Sequence, residues 1–436
     1  MQLVIRGGRV VDPSQKLDAE KDILIENGKI KAVDQPGSFN SLAGVKFVEA
    51  KGKVIAPGFF DAHVHLREPG LEYKETIASG TRAAVLGGFS SVACMANTLP
   101  VNDSAITTRY ILEKAREANQ SRVFVIGAVT KGLKGEELAD IGFMVEAGVR
   151  ALSDDGMPIM NSALMRKAME YASTFDIPII SHAEDLNLSH GAPMNEGAVS
   201  SLLGYRGNPA ASEEIMVARE IALARLTGAR VHIAHISTRE GVELVKRAKE
   251  AGLNITAEVT PHHLMMNDRM LMNCGHTCDH RHDRADYKMA PPLRSLEHQE
   301  ALLQALNDGV IDMVASDHAP HGCMDKETEF ELAANGILGL QTTVPLMLEL
   351  VHQKKLSLSR MVESLACAPS KLFSHHPSLR VGNDADITIL DLDQKWKLTP
   401  AMLASKSSNS PFLGREFRGG AFATIVAGEV KWSMQS

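Results

Sequence analysis

Eight short apolar, β-favouring runs through the middle of a 436-residue chain constrain its fold more than any other feature. They occupy residues 59–64, 91–96, 123–128, 149–152, 177–180, 231–234, 255–259 and 311–315. A short, continuous apolar run flanked by turn signals reads as a strand buried on both faces. Helical patterns separate most of them, and eight β/α units in succession predict a (β/α)8 TIM barrel, an α/β fold. In one intervening segment Ser212 reads as an N-cap before Glu213 and Glu214. Ile215, Ala218, Ala222 and Leu226 would then be the apolar face and Gly228 the stop. Val242, Val245, Ala248 and Ala251 repeat the pattern before Gly252.

The two ends differ from the middle. Residues 3–8 and 23–30, and again 386–391 and 423–430, alternate strand-forming residues with Gly or Asn-Gly turns. Chain termini often lie close together, so both ends are expected to build one small β-sandwich module. The expected division is 1–56 and 376–436 for that module and 57–375 for the barrel.

A barrel builds its active site at the C-terminal ends of its strands. Chemically capable side chains should therefore follow the apolar runs. The first run leads into Asp61-Ala62-His63-Val64-His65, where alternation along a strand puts Asp61, His63 and His65 on one face. The fourth leads to Ser153-Asp154-Asp155-Gly156 and the fifth to Ser181-His182-Ala183-Glu184-Asp185. His235-Ile236-Ser237, Thr260-Pro261-His262-His263 and Ser316-Asp317-His318-Ala319-Pro320-His321 follow the last three. Taken singly, Ser237 or Asp155 reads equally well as a helix cap. Imidazoles and carboxylates at six strand ends instead read as the nitrogen and oxygen donors of a catalytic metal site.

Composition narrows the partners. The formal net charge is -7 and no cluster of five or more Lys/Arg occurs, so neither nucleic acid nor an anionic membrane is an expected ligand. Cys94, Cys274, Cys278, Cys323 and Cys367 are odd in number and dispersed, which argues for a reducing compartment over a disulfide framework. No signal-peptide pattern or membrane-spanning run is apparent, and a cytoplasmic location is expected.

Residues 61–70, Asn97-Thr98-Leu99-Pro100, 153–156, His182-Ala183-Glu184-Asp185, His235-Ile236-Ser237, 316–321 and Asn409-Ser410-Pro411-Phe412 together closely resemble class I dihydroorotases of the amidohydrolase superfamily. The resemblance covers nearly the whole chain. It implies two zinc ions, one held by His63, His65 and Asp317 and the other by His182 and His235, with Asp155 bridging them. Many relatives bridge with a carboxylated lysine, but residues 149–155 contain no lysine. The implied reaction is reversible hydrolysis of (S)-dihydroorotate to N-carbamoyl-L-aspartate in de novo pyrimidine biosynthesis, with Asp317 as general acid/base. Arg67, Asn97 and His321 match the family's carboxylate-binding positions, and a guanidinium grips a carboxylate bidentately. A homodimer, and association with aspartate transcarbamoylase, also follow from the resemblance.

Two positions depart from the family pattern. Ala290 stands where the family usually has Asn against the substrate ring, and residues 267–286 form a long segment rich in His276, Cys278, His280 and His282. That segment reads as a solvated insertion rather than a further metal site. The competing functions are another cyclic-amide hydrolase, such as an allantoinase or dihydropyrimidinase, and a non-catalytic subunit scaffolding aspartate transcarbamoylase. Arg67 and the missing lysine argue against the first, and the complete ligand set against the second.

Overall fold

A computed structural model describes residues 2–272, 284–375 and 377–434. His276, Cys278, His280 and His282 lie outside the described residues. The chain opens with β1 (Gln2–Asp12), β2 (Leu17–Glu26), β3 (Lys29–Asp34), β4 (Lys46–Glu49) and β5 (Val54–Pro57). The middle holds β6 (Phe59–Val64), β7 (Phe89–Cys94), β8 (Arg122–Gly127), β9 (Val149–Leu152) and β10 (Ile179–Ser181). A short parallel pair, β11 (Met194–Asn195) and β12 (Gly207–Asn208), interrupts the succession before β13 (Val231–Ile233), β14 (Ile255–Val259) and β15 (Met313–Val314). β16 (Ile387–Lys397), β17 (Glu416–Val426) and β18 (Glu429–Ser433) end the chain.

All eight apolar runs form strands, and they neighbour one another in the order β6-β7-β8-β9-β10-β13-β14-β15. Closure comes from the Val64–His318 bridge and from the His65 N–H, which donates to the His318 carbonyl at 2.8 Å. Alternation divides the strand side chains. Phe60, Ala93, Ile126, Ala151, Ile180 and Met313 share one inner cluster, while Phe59, Val92, Val125, Leu152, Ile179 and Val314 join the larger cluster beneath the helices. The alternation breaks at the end of β6. Its register with β7 shifts between Asp61 and Val64, so Ala62 belongs to the inner cluster and Val64 to the outer one. The irregularity falls on the part of the strand that bears His63.

The helices start and stop where local chemistry dictates. Ile77–Gly87 is opened by a Thr76–Ser79 capping box and ended by Gly88, whose φ of 98° favours glycine. Ala211–Thr227 stops at Gly228 as expected, but its N-cap is Ala210. Ser212 lies inside the first turn, where its Oγ donates to Asn208 Oδ1 at 2.7 Å. The buried face is Met216, Val217, Ile221 and Ala224, whereas Ile215 and Leu226 are 51% and 60% exposed. The two stripes have equivalent helical spacing, so periodicity alone does not decide which one faces the barrel.

Both chain ends pair in one eight-stranded sheet ordered β18-β17-β16-β5-β1-β2-β3, with β4 also on β1. Leu3, Ile5, Ile23, Ile55, Ile387 and Ile425 share its buried cluster. Thr388 fastens this module to the barrel by accepting from the Phe59 N–H at 3.0 Å and donating to the Gly88 carbonyl at 2.7 Å. No helix among the described residues is long and apolar enough to cross a membrane.

Candidate metal centre and substrate cavity

Five strand ends deliver His63 and His65, Asp155, His182, His235 and Asp317 to one buried cluster. Two sets of potential ligands stand out: His63, His65 and Asp155, and then Asp155, His182 and His235. Within each set the ligand atoms lie within 4.8 Å of one another, and Asp155 belongs to both. Asp317 flanks the first set, its Oδ1 lying 3.0 Å from His65 Nε2 and 3.5 Å from His63 Nε2.

Neighbouring acceptors point to the bare nitrogen of the His63 and His182 rings. His63 Nδ1 lies 2.6 Å from Glu258 Oε1, and a carboxylate only accepts, so the ring proton sits on Nδ1. His63 Nε2 is then a lone pair, buried, with no hydrogen-bond partner and 3.5 Å from Asp155 Oδ1. His65 meets an acceptor on each side, Asn97 Oδ1 at 2.8 Å from Nδ1 and Asp317 Oδ1 at 3.0 Å from Nε2. His182 reverses the pattern, because Nε2 donates to Glu184 at 3.2 Å. Its bare Nδ1 faces His235 Nε2 at 3.0 Å and Asp155 Oδ1 at 3.4 Å.

This donor set fits a metal. Asp155 Oδ1 is also buried without a hydrogen-bond partner, so a carboxylate oxygen and an imidazole nitrogen are both orphaned towards the same gap. Asp61, Asp155, Glu258 and Asp317 are all buried, and among the described residues none of them pairs with Lys or Arg. Buried carboxylate charge that only imidazoles meet is unfavourable unless further positive charge compensates it. Burial pushes the Asp61 carboxyl up to about 7. Burial acts the same way on Asp155 but is outweighed there by His63, His182 and His235, which hold it well below the ordinary carboxylate range. The structure holds several site residues on strained backbone, since Arg67, His235 and Asp317 adopt φ of 63°, 30° and 47°.

The cluster floors a cavity of about 340 Å³ whose wall includes His65, Arg67, Asn97, Asp155, His182 and Asp317. Arg67 is 8% exposed, and among the described residues no carboxylate lies within ion-pair distance of it. Its Nε donates to the Pro320 carbonyl at 3.2 Å, its Nη2 lies 3.3 Å from His321 Nε2, and the residue lines the cavity. His321 also lines the cavity, but both its ring nitrogens are engaged. Nε2 donates to the Asn335 carbonyl at 2.8 Å and Nδ1 accepts from Lys74 at 3.3 Å. Burial, followed by the charges of Arg67, Lys74 and Lys326, holds His321 down at about 2, so the ring is neutral. Ala290 lines the same cavity and offers it only a methyl group and backbone.

The neighbouring Asp154 turns away from the cluster. It accepts from the Val129 and Thr130 N–H groups at 2.7 and 3.1 Å, pinning the loop after β8. Ser237 is not a cap, since Thr238 caps the helix Arg239–Glu250. Ser237 instead joins Thr238 in donating to the buried Glu213. Sequence reasoning missed Glu258 and Glu184 as partners of the ring nitrogens. A signal for Glu258 was present, because an acid in the middle of an apolar strand such as residues 255–259 is out of place unless it has a buried partner.

A (β/α)8 barrel whose strand ends carry two His/Asp ligand sets sharing one carboxylate defines a metal-dependent amidohydrolase. The profile of the family described as Dihydro-orotase-like matches residues 52–241. The chain is 47% identical to a dihydroorotase of Pelobacter propionicus over 99% of both chains. It is 49% identical to one of Solibacter usitatus over 100% of this chain and 99% of that one. Among solved structures it is similar to an L-hydantoinase (dihydropyrimidinase) from Arthrobacter aurescens, at 27% identity and a TM-score of 0.86 over 98% of this chain and 95% of the other. The chain belongs to the dihydroorotase family of the amidohydrolase superfamily.

Proposed function

We propose that this chain hydrolyses (S)-dihydroorotate reversibly to N-carbamoyl-L-aspartate, with two zinc ions bridged by Asp155. His63, His65 and Asp317 would hold one ion, and His182 and His235 the other. The observation that carries the substrate assignment is Arg67, a buried guanidinium without an acidic partner in the wall that also presents the His/Asp cluster. A neutral cyclic amide has no use for that charge, whereas the carboxylate of dihydroorotate completes it. When bound, zinc supplies hydroxide at neutral pH and polarises a carbonyl.

The chain's own groups account for the rest. Asp317 accepts the proton of the attacking water as the new carbon–oxygen bond forms, and returns it to the ring nitrogen as the carbon–nitrogen bond breaks. Asn97 spends its Oδ1 on His65 and keeps its amide NH2 for the substrate carboxylate beside Arg67. His321, neutral and fixed by Lys74 and Asn335, shapes that end of the cavity. Membership of the family supports a cytoplasmic homodimer able to associate with aspartate transcarbamoylase; sedimentation of the chain alone and with that partner tests both.

The assay compares Arg67→Gln with the unaltered chain on dihydroorotate and on neutral dihydrouracil, with metal quantified in each sample. KM for dihydroorotate should rise at least tenfold with metal content unchanged, and any turnover of dihydrouracil should be unaffected. Equal losses on both substrates, or preferential turnover of dihydrouracil by the unaltered chain, would contradict the assignment.

A further inference from the structure

β14 carries one ionisable side chain inside the barrel, Glu258, which is 1% exposed and is absent from both ligand sets. Its two oxygens take two imidazoles. Oε1 accepts from His63 Nδ1 at 2.6 Å, and Oε2 accepts from His232 Nε2 at 3.1 Å. His232 is itself fixed, because its Nδ1 then accepts from Thr256 Oγ1 at 2.8 Å. The donors thus run in order: the Thr256 hydroxyl into His232, His232 into Glu258, and His63 into the same carboxylate from the other side. Only one nitrogen at the end of this chain has nothing to bond, and it is His63 Nε2. Among the described residues, only the His235 N–H reaches this carboxylate besides the two imidazoles, at 3.4 Å on Oε1, and no Lys or Arg pairs with it. A purely structural site would be filled as well by apolar side chains of the same volume.

We propose that Glu258 is a positioning residue for the ion at His63 and His65. Bridging His232 and His63, it sets the rotation and tautomer of the His63 ring, so that Nε2 faces the ion, and its charge makes that nitrogen a stronger donor. Carboxylate partners of metal-bound imidazoles act in this way, and their loss typically weakens metal affinity 10- to 100-fold. The role rests on the proposed two-ion centre. It acts on one ligand ring of the centre: Glu258 meets His235 of the other set only at its backbone N–H, at 3.4 Å, and the ring of His182 has its own carboxylate, Glu184, at 3.2 Å.

The test is cobalt(II) uptake by the full-length apo-protein, followed by visible absorption and by competition with a chelator. In Glu258→Gln one of the two uptake steps should weaken by about 10- to 100-fold, the other should stay as in the unaltered chain, and the cobalt absorption band of the weakened step should shift. His232→Gln removes the far imidazole and should move the same step in the same direction by a smaller factor. Two unchanged steps with an unchanged spectrum in Glu258→Gln overturn the role. So do two equally weakened steps accompanied by a lowered Tm, which mark a purely structural residue. If Glu258→Gln does not fold, His232→Gln decides, and an unchanged step there overturns the role. An unaltered chain that takes up no cobalt overturns the metal centre itself, which distinguishes that failure from failure of the Glu258 assignment.

Discussion

Asp317 and His235 are held at φ of 47° and 30°, a left-handed region that L side chains enter only when their surroundings force it. The force is visible around Asp317. The His318 carbonyl is tied to the His65 N–H at 2.8 Å, and the Ser316 N–H donates to Asp61 at 3.0 Å. Asp317 is thereby turned towards His65 and the cavity. Burial alone would raise its carboxyl, but His63 and His65 outweigh burial and keep it well below the ordinary range. It is a base throughout the neutral region. Asp317→Asn keeps an oxygen beside His65 and removes the base, so turnover should fall by about 10²-fold or more while the fold is retained. Steady-state kinetics with a parallel thermal melt check this, and near-normal turnover would remove Asp317 from the acid/base role. The ligand types at this scale were legible in the sequence because imidazoles and carboxylates ended apolar runs. Their hydrogen-bond partners were not, because Glu258 reaches His63 across 195 positions of sequence.

The elements that carry Arg67 and Asn97 to the cavity are loops braced against one another. Gly70 follows Arg67 with a φ of 90°, and a Cβ there would come within 1.7 Å of the Leu99 carbonyl oxygen. The two loops also exchange a backbone bond, the Leu99 N–H donating to the Pro69 carbonyl at 2.9 Å. Gly70→Ala must therefore separate the segment bearing Arg67 from the one bearing Asn97. The expected result is a loss of about 1–3 kcal/mol in stability, with KM for dihydroorotate rising more than kcat falls. Calorimetry and Michaelis profiles measure both, and a variant with unaltered KM would show that the loop contact does not set the site. Strand positions could be read from the sequence because a barrel strand is apolar on both faces, and every such run is a strand here. The face of the helix Ala211–Thr227 could not. Ile215, Ala218, Ala222 and Leu226 form as good a stripe as the buried Met216, Val217, Ile221 and Ala224. The choice between them is made by tertiary packing, in which Glu213 is drawn to the Ser237 and Thr238 N–H groups after β13.

At the scale of the whole molecule, the C-terminal part of the chain reaches back to the site. Asn409 Nδ2 donates to the Ala319 and Gly336 carbonyls at 2.9 and 3.1 Å, while its Oδ1 accepts from the His321 N–H at 3.0 Å. The segment after β15 is thus held by residues beyond β16, and the cavity depends on both the barrel and the chain that closes over it. Asp155 and Asp317 line the cavity and Asp61 and Glu258 are buried against His63, so four carboxylates without Lys or Arg partners share a few imidazoles, an arrangement that a bound cation complements. Asp155 is central, as the one residue common to both ligand sets and a carboxylate without modification. The most direct test is reconstitution of the full-length apo-protein with zinc in buffer depleted of carbon dioxide, with dihydroorotate hydrolysis and bound zinc measured together. The account predicts that activity rises with zinc to a plateau at two ions per chain and needs no bicarbonate. A chain that stays inactive until bicarbonate is added, or whose activity does not depend on zinc, would contradict it.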